Sequence, residues 1–467
     1  MKFQSTFSEI LQASIRSWTS RRVDECILSF ALPIEGVDPL FQIPLISNHQ
    51  QFSFLWDLAP DLCIAAAGKC QSFELLGQRR FELAQRFTDE TFNRLIDGSP
   101  NIPYQAKARI LYAFTFFEQT SEFIRDEEIA PAVQAVLPSW QLTSINGSGW
   151  LRLNAVVAQE ADVRDFVEKL WLMREKLTQF TYQKPSQQES FNALTLDSKE
   201  WERNYKLALG KGIELVETKQ LKKLVLAVKQ SIDVKKPFDP LNVLNTLRNY
   251  QKDSCRFLWQ RSKDESFFGA SPERLLSLRQ DRMITDALAG TAMKGPQAND
   301  LLSSDKDLRE HNLVVTSIRD VLLDLGLSPK RFSKPCLAQH GNIVHLHTPM
   351  TFKLRDQSPL QLVDALHPTP AVAGLPRTNA LNWLRTLEPF DRGSYAAPIG
   401  WIDTDHNAEF RVAIRCGYFR GTKIDLFAGA GLVKGSTIEG ELEEVRLKFA
   451  VLADQISSQT QFSGKIF

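Results

Sequence analysis

Ala428-Gly429-Ala430-Gly431-Leu432-Val433-Lys434-Gly435-Ser436 follows an apolar run that begins at Ile424 and leads on to Glu441, Glu444 and Lys448. The run reads as a strand, its glycines let backbone approach a ligand closely, and Ser436 stands where the N-cap of a following helix is expected. If that helix extends to Phe449, Glu441, Glu444 and Lys448 lie at i, i+3 and i+7 on one face. Two carboxylates and an ammonium then line a concavity floored by backbone N–H groups, which suits a metal ion together with a carboxylate ligand.

Outward from this stretch, Lys222-Lys223-Leu224-Val225-Leu226-Ala227-Val228 reads as a strand buried on both faces. Alternation sends the two lysines to opposite sides, so one can reach solvent while the other points inward, where desolvation moves an amine toward the range of a base. The plainer reading is two solvated lysines at a strand end. Phe267 to Leu276 holds a Ser-Pro-Glu turn with Glu273 at the end of a strand or the start of a bend, and Asp286 to Thr291 is a turn of small residues. Alone, Glu273 reads as a surface or capping carboxylate. A helix is expected from Ser304 to Leu325, with Val314, Ile318, Val321, Leu322 and Leu325 as its buried stripe and Asp307, Glu310 and His311 at i, i+3 and i+4. That face by itself reads as solvated. Beside the acidic pair Glu441 and Glu444, however, it points to a shared cation, because four carboxylates brought together without one repel.

Gly341 to Thr348 alternates as a strand with His345 and His347 on one face. Either could ligate a metal or serve as a hydrogen-bonded core histidine, and no third nitrogen or sulfur ligand stands at suitable spacing. His367 to Pro376 is a rigid, turn-rich loop that includes Thr369. Trp401-Ile402 and Glu409 to Cys416 read as a hairpin around Asp403 to Asn407, with Arg411, Ala413 and Arg415 on one side of the second strand. Arginine on a small-residue face suits a carboxylate, or an internal ion pair.

At 467 residues, 43% hydrophobic and 24% charged, the chain can bury a large core in two or three domains or in one big α/β unit. Lys+Arg 56 against Asp+Glu 55 leaves a formal net charge of +1, so no global field attracts nucleic acid or an anionic membrane. Cys26, Cys63, Cys70, Cys255, Cys336 and Cys416 are scattered without a CxxC pair, which implies a reducing, cytoplasmic setting and no zinc site. No apolar run reaches the length of a membrane span, and Glu9, Asp24 and Glu25 argue against a transit peptide.

Residues 1–182 form one block without evident chemistry. Its expected strands are Glu25 to Leu32, Phe52 to Leu58, Leu62 to Ala67 and Leu151 to Val157, and a helix with Val163, Phe166, Val167, Leu170 and Trp171 as its stripe is expected from Asp162 to Phe180. Residues 183–199 are a linker or a surface loop, Gln183 to Leu196 being polar with Pro185. Asp197 and Glu200 resemble a capping box before a helix striped by Trp201, Tyr205, Leu209 and Ile213.

Taken together, GASPERLL, ALAGT, DLREHNLVV, IVHLHT, LHPTPAVAGLP, EPFDRGSYAAPIGW, FRVAIR and AGAGLVKGS followed by ELEEVRLK resemble, in order, the chorismate-utilising enzymes: isochorismate, salicylate, anthranilate and aminodeoxychorismate synthases. They span about residues 220 to 450, and WDLAPDLCIAAAG and PSWQLTSINGSGWLRLN look like the corresponding N-terminal regions of isochorismate synthases. The resemblance implies an α/β (α+β) fold in which two antiparallel sheets pack face to face with helices outside. It makes residues 1–182 a subregion adding strands to the same sandwich, and residues 200–460 the chorismate-binding catalytic region. It also implies Mg²⁺ on Glu310 and Glu444, helped by Asp307 and Glu441. Chorismate would be held by Ala289, Gly290, Thr291, His345, Thr369, Tyr395, Arg415, Gly429, Gly431 and Lys448. Glu273 would be the general acid for the departing 4-hydroxyl, and Lys223 the general base for water attacking C2. No obligatory protein partner is implied.

Within the family, aminodeoxychorismate synthases resemble one another in a lysine at the position of Ala289, and ammonia-using anthranilate synthases lack the water-activating lysine that LKKLVLAV places at Lys223. The resemblance therefore favours isochorismate synthase of menaquinone or phylloquinone synthesis. Salicylate synthase shares these residues, and a binding-only member is the alternative of another class. This chain departs from the pattern in Tyr395-Ala396-Ala397-Pro398, where the family has YAGP. It departs again in Asp405-His406-Asn407, where Asn407 is expected to replace a glycine in a left-handed turn, and at Val228, often an arginine.

Overall fold

The computed structural model describes residues 6–20, 25–47, 52–99, 101–118, 130–180, 198–234 and 238–459. The apolar run before the glycines becomes the strand Lys423–Leu432, which pairs antiparallel with Lys223–Asp233 from Leu224 opposite Leu432 to Asp233 opposite Lys423. Both strands are buried where they are apolar, as the unbroken runs of Val, Leu and Ala require. They lie near one edge of a large sheet. Among the described residues its order is Gly374–Leu375, Lys223–Asp233, Lys423–Leu432, Cys416–Arg420, Glu265–Ser271, Cys255–Ser262, Ser53–Asp57, Cys63–Ala67, Trp140–Ile145, Ser148–Val157, Cys26–Glu35 and Leu95–Asp97. The second sheet runs Ser328–Phe332, Ile343–Lys353, Arg282–Met293, Arg274–Arg279, Ala408–Val412, Pro398–Asp403, Arg109–Phe114, Val133–Leu137 and Gln71–Leu75. The architecture is the expected α+β sandwich, with one contiguous apolar core drawing on both sheets. Pairing is antiparallel throughout these sheets except between Cys26–Glu35 and Leu95–Asp97.

In both sheets strands of the N-terminal block pair with strands of the C-terminal part. Ser53–Asp57 pairs with Cys255–Ser262, and Arg109–Phe114 with Pro398–Asp403. The first of these joints is also a charge joint. Asp57, fully buried, accepts from Arg256 Nε at 3.1 Å and from Arg248 Nε at 2.8 Å, while Arg248 also grips Asp38. Burial works against the Asp57 charge, but Arg256 and Arg248 outweigh it and hold the carboxyl well below its usual range.

The helices fall close to their expected places. Asp305–Asp324 is capped by Ser304, whose Oγ accepts from the Asp307 N–H, and it buries Val314, Ile318 and Leu322. Glu160–Gln179 buries Val163, Phe166, Val167 and Leu170. Ser198–Glu217 buries Trp201, Tyr205 and Leu209. The linker reading of Gln183 to Leu196 and the cap at Asp197 lie outside the described residues.

Three local expectations are corrected. The helix after the glycines is Ile438–Gln459, longer than expected, and Thr437 rather than Ser436 caps it, its Oγ1 accepting from the Gly440 N–H. The Ser436 hydroxyl instead accepts from the Val433 N–H and closes the preceding turn. The strand expected from Glu409 to Cys416 is two strands in different sheets. Ala408–Val412 ends, the chain crosses between sheets at Ala413 to Arg415, and Cys416–Arg420 begins. Arg415 has φ 53, a left-handed conformation that no strand continues through, so its side chain leaves the register of Arg411. In the hairpin, His406 rather than Asn407 takes the positive φ of 58, and Asn407 uses its amide to donate to Asp403.

Because Asp57 is a buried carboxylate serving two guanidinium groups, Asp57→Asn should lower the unfolding free energy by about 3–5 kcal/mol at neutral pH. Its lowered folded pKa means this contribution is present above the unfolded carboxylate pKa and is lost as pH falls through the folded value. Urea unfolding at pH 7 checks it, and a midpoint equal to that of the parent would show that the joint adds nothing net.

Candidate active site

Strand alternation sends Lys223 inward at 1% exposure while Lys222 is exposed. Its Nζ donates to Glu310 Oε1 at 2.7 Å, so the strand of one sheet is tied to the helix Asp305–Asp324. Gly431 allows this: a Cβ there would stand 2.5 Å from Glu310 Oε1 and 3.3 Å from Lys223 Cε. The neighbouring strand Cys416–Arg420 stops pairing at Leu426, so the Ala428–Gly431 backbone has one edge free of the ladder. There the Gly429 carbonyl accepts from Lys448 Nζ at 2.8 Å. Lys448 also donates to Glu444 Oε1 at 2.6 Å, one helical turn back, and Thr291 Oγ1 donates to the same oxygen at 3.2 Å.

Arg415, turned out of the ladder, donates through Nη2 to His345 Nε2 at 2.6 Å. His345 Nδ1 lies 3.0 Å from the Gly290 carbonyl, which fixes the tautomer with the proton on Nδ1. Burial, then the Arg415 charge, holds His345 well below its ordinary pKa, so it is a neutral acceptor. Burial lowers the Arg415 pKa to about 10, which leaves the guanidinium charged at neutral pH, and its Nη1 is buried without a partner. An uncompensated buried N–H of this kind is stabilised by an incoming anion.

Glu273 sits in the turn between Glu265–Ser271 and Arg274–Arg279 at 4% exposure. The turn is clamped: the Glu273 N–H donates to Ser271 Oγ, the Ser271 hydroxyl donates to the Val412 carbonyl, and the Val412 N–H donates to the Glu273 carbonyl. Burial, opposed by Lys223 and reinforced by Asp286, pushes the Glu273 carboxyl up to about 8. It is therefore a proton donor at neutral pH. Tyr395 stacks on Phe427 with ring centroids 5.2 Å apart, and a Cβ on Gly429 would come within 3.0 Å of its hydroxyl.

One cavity is lined by Lys223, Glu273, Ala289, Gly290, Thr291, Glu310, His345, Tyr395, Arg415, Gly429, Gly431, Glu444 and Lys448. Three residues of the site that the resemblance implies lie off its wall. Thr369 is buried in the turn beneath Ala371 and Val372, its carbonyl accepting from the Val372 and Ala373 N–H groups. Asp307 is half-buried behind Gly290, and Glu441 is buried with Oε1 3.0 Å from Lys306 Nζ. His347 takes no place on the wall and pairs with Asp286 at 3.1 Å. The apolar wall of Val225, Leu288, Ala371, Val372, Ile414 and Phe427 went unnamed from sequence. Its signal was there, since Val225 is two residues from Lys223 and Phe427 two from Gly429, on the same faces. Also unassigned was the ion pair within EPFDR. Arg392 donates to both Glu388 oxygens at 2.8 and 2.6 Å and to the carbonyls of Val372 and Val225, while Glu388 accepts from the Ala227 N–H. It fixes the Tyr395 loop and the Ala371-Val372 wall to the Lys223 strand.

The family model for chorismate binding enzyme matches residues 11–457. The chain belongs to that family. It is 29% identical over 474 residues, 98% of each chain, to isochorismate synthase MenF of Bacillus subtilis. It is 37% identical over 264 residues, 55% of each chain, to the salicylate biosynthesis isochorismate synthase of Pseudomonas aeruginosa. In structure it resembles MenF, the menaquinone-specific isochorismate synthase from Escherichia coli, with a TM-score of 0.75 at 23% identity, covering 97% of this chain and 100% of that one.

The metal expected in this family can be tested against the carboxylates present. Among the described residues no three Asp, Glu, His or Cys side chains converge as a ready cation cage. The three glutamates expected to hold the ion each hold a lysine instead: Glu310 Lys223, Glu441 Lys306 and Glu444 Lys448. The donor set is nevertheless the hard-oxygen kind that Mg²⁺ takes, and Glu310 and Glu444 face the same cavity. The Glu441 carboxyl is raised by burial and then by the Glu444 charge, the mark of crowded carboxylates that a divalent ion relieves. The residues therefore fit the ion.

Since Gly431 is what permits the Lys223–Glu310 contact, Gly431→Ala should displace that pair and reduce turnover by about 100-fold or more. The circular dichroism spectrum should keep its native form. Turnover within a few-fold of the parent would mean the pair tolerates displacement.

Proposed function

We propose that this chain is an isochorismate synthase, a Mg²⁺-dependent isomerase that adds water at C2 of chorismate and releases the 4-hydroxyl. The observation that supports it is the convergence on one cavity of a buried lysine, a buried carboxyl raised to about 8 and a buried arginine N–H without a partner. Likeness to the B. subtilis isochorismate synthase across 98% of the chain points the same way, whereas the P. aeruginosa relative is matched over only 55%. That difference favours a role in menaquinone or phylloquinone synthesis over a siderophore route. No helix among the described residues is long and apolar enough to cross a membrane, and we place the enzyme in the cytoplasm.

In this reading Arg415 Nη1, the Tyr395 hydroxyl, Lys448 and the free edge at Gly429 and Gly431 hold the enolpyruvyl carboxylate. Glu310 and Glu444, with help from Asp307 and Glu441, would hold Mg²⁺, which when bound would supply positive charge at the ring carboxylate. Glu273 gives its proton to the 4-hydroxyl, which leaves as water. Lys223 is the base that takes a proton from the water that attacks C2. One water is consumed and one released, and returning a proton from Lys223 to Glu273 resets the pair. The apolar wall of Val225, Leu288 and Phe427 keeps bulk water from competing at the ring.

Incubation of the protein with chorismate and Mg²⁺, with and without ammonium, followed by chromatography, should give isochorismate alone. Salicylate with pyruvate would add a lyase step, anthranilate formed only with ammonium would overturn the role of Lys223, and no product would favour a binding-only member. Lys223→Ala should cost at least about 100-fold in turnover while Mg²⁺ binding measured by calorimetry persists. Because Glu273 must be protonated, kcat/KM should fall as pH rises through about 8. A rate independent of pH up to 10 would remove Glu273 from the acid role.

A further inference from the structure

Behind the turn that carries Glu273 lies a charged cluster with no part in holding substrate. Asp286, on the strand Arg282–Met293, is 8% exposed, so its charge sits in protein rather than in water. Its Oδ2 is 3.5 Å from Arg274 Nη1, the residue that follows Glu273, and its Oδ1 is 3.1 Å from His347 Nε2. Thr285, the preceding residue, donates from Oγ1 to the Leu275 carbonyl at 2.7 Å. Two successive side chains of this strand therefore grip the two residues after the acid. Burial opposes the Asp286 charge, but His347, Arg274 and Arg411 outweigh it and keep the group an anion.

We infer that Asp286 is a positioning residue for the general acid: it fixes Arg274, and with it the turn that presents Glu273, and sets a permanent negative charge behind the Glu273 carboxyl. The inference rests on the reading of Glu273 as that acid. The charges that act on Glu273 are of both signs. Lys223, Lys448 and Arg415 favour its ionised form, and Asp286 opposes it. The cavity also presents Glu310, Glu444, the neutral His345 and Tyr395. Asp286 differs from Glu310 and Glu444 in its setting, because their charges are taken by lysines from the cavity side and its own by groups outside the cavity. Its anion is therefore present whether the cavity is empty or filled, and it favours the protonated acid before each turnover and the return of the proton after it.

The experiment compares the parent enzyme, Asp286→Asn and Asp286→Ser in two readouts. The first is the pH dependence of kcat/KM. The second is an infrared titration of the protonated carboxyl band assigned to Glu273 by its loss in Glu273→Gln. Asp286→Asn should move the basic limb and the band's midpoint together to lower pH by about half a unit or more. Asp286→Ser, which also removes the charge, should move both in the same direction, and it serves alone if Asp286→Asn does not fold. A limb and band midpoint unmoved in both variants, or a rate lowered equally at every pH, would overturn the inference. Absence of any Glu273 band in the parent near neutral pH would instead overturn the assignment of Glu273 as a protonated acid.

Discussion

The contact on which the site depends is the buried Lys223–Glu310 pair, closed at 2.7 Å across the face of Gly431. It links the strand Lys223–Asp233 to the helix Asp305–Asp324, and a Cβ at Gly431 would push the Glu310 carboxylate out of it. A buried ion pair of this kind contributes little net stability, because desolvation cancels most of its attraction. What it contributes is position. The amine and the carboxylate are each held at the cavity wall before substrate arrives, which is the preorganisation that acid–base chemistry requires.

Around this pair the same economy recurs. The Glu388–Arg392 pair takes no part in binding, yet it anchors the Tyr395 loop and the Ala371-Val372 wall to the strand that carries Lys223. The left-handed Arg415 ends the pairing of one sheet and starts that of the other, and the interruption turns a guanidinium toward the cavity with His345 as its acceptor. The site therefore stands where regular structure stops. At Arg415 the ladder breaks, at Glu273 two strands of different sheets meet, and at Gly429 the neighbouring strand has ended. Such places leave backbone and side-chain groups free to meet a ligand.

The different environments of Glu273 and Lys223 give the cavity its chemical asymmetry. Glu273 stands in a clamped turn where burial dominates and keeps it protonated. Lys223 faces an anion at hydrogen-bond distance. One cavity wall therefore holds both a protonated carboxyl and an amine paired with a carboxylate.

Much of this was legible in the sequence. Alternation separated Lys222 from Lys223, helical spacing gathered Asp307, Glu310 and His311 on one face of a helix, and the glycine run announced a close backbone approach. These are local rules in which chemistry follows from period and residue type. Sequence misplaced what depends on a single dihedral or on a distant partner. A strand pattern continues through Arg415 in the sequence, but the chain turns left-handed there and changes sheets. Period alone set Glu441 and Glu444 side by side, and only packing shows that Glu441 turns to Lys306, behind the wall, while Glu444 turns to Lys448 on it. Likewise no spacing in the chain relates Asp286 to Arg274 or Glu388 to Ala227, because these contacts join strands and loops whose neighbours are chosen by the assembly of two sheets. The sequence by itself determined which elements form and which face of each is polar. Only the tertiary structure decided which charges meet, because burial and pairing belong to the assembled core and not to any segment of it.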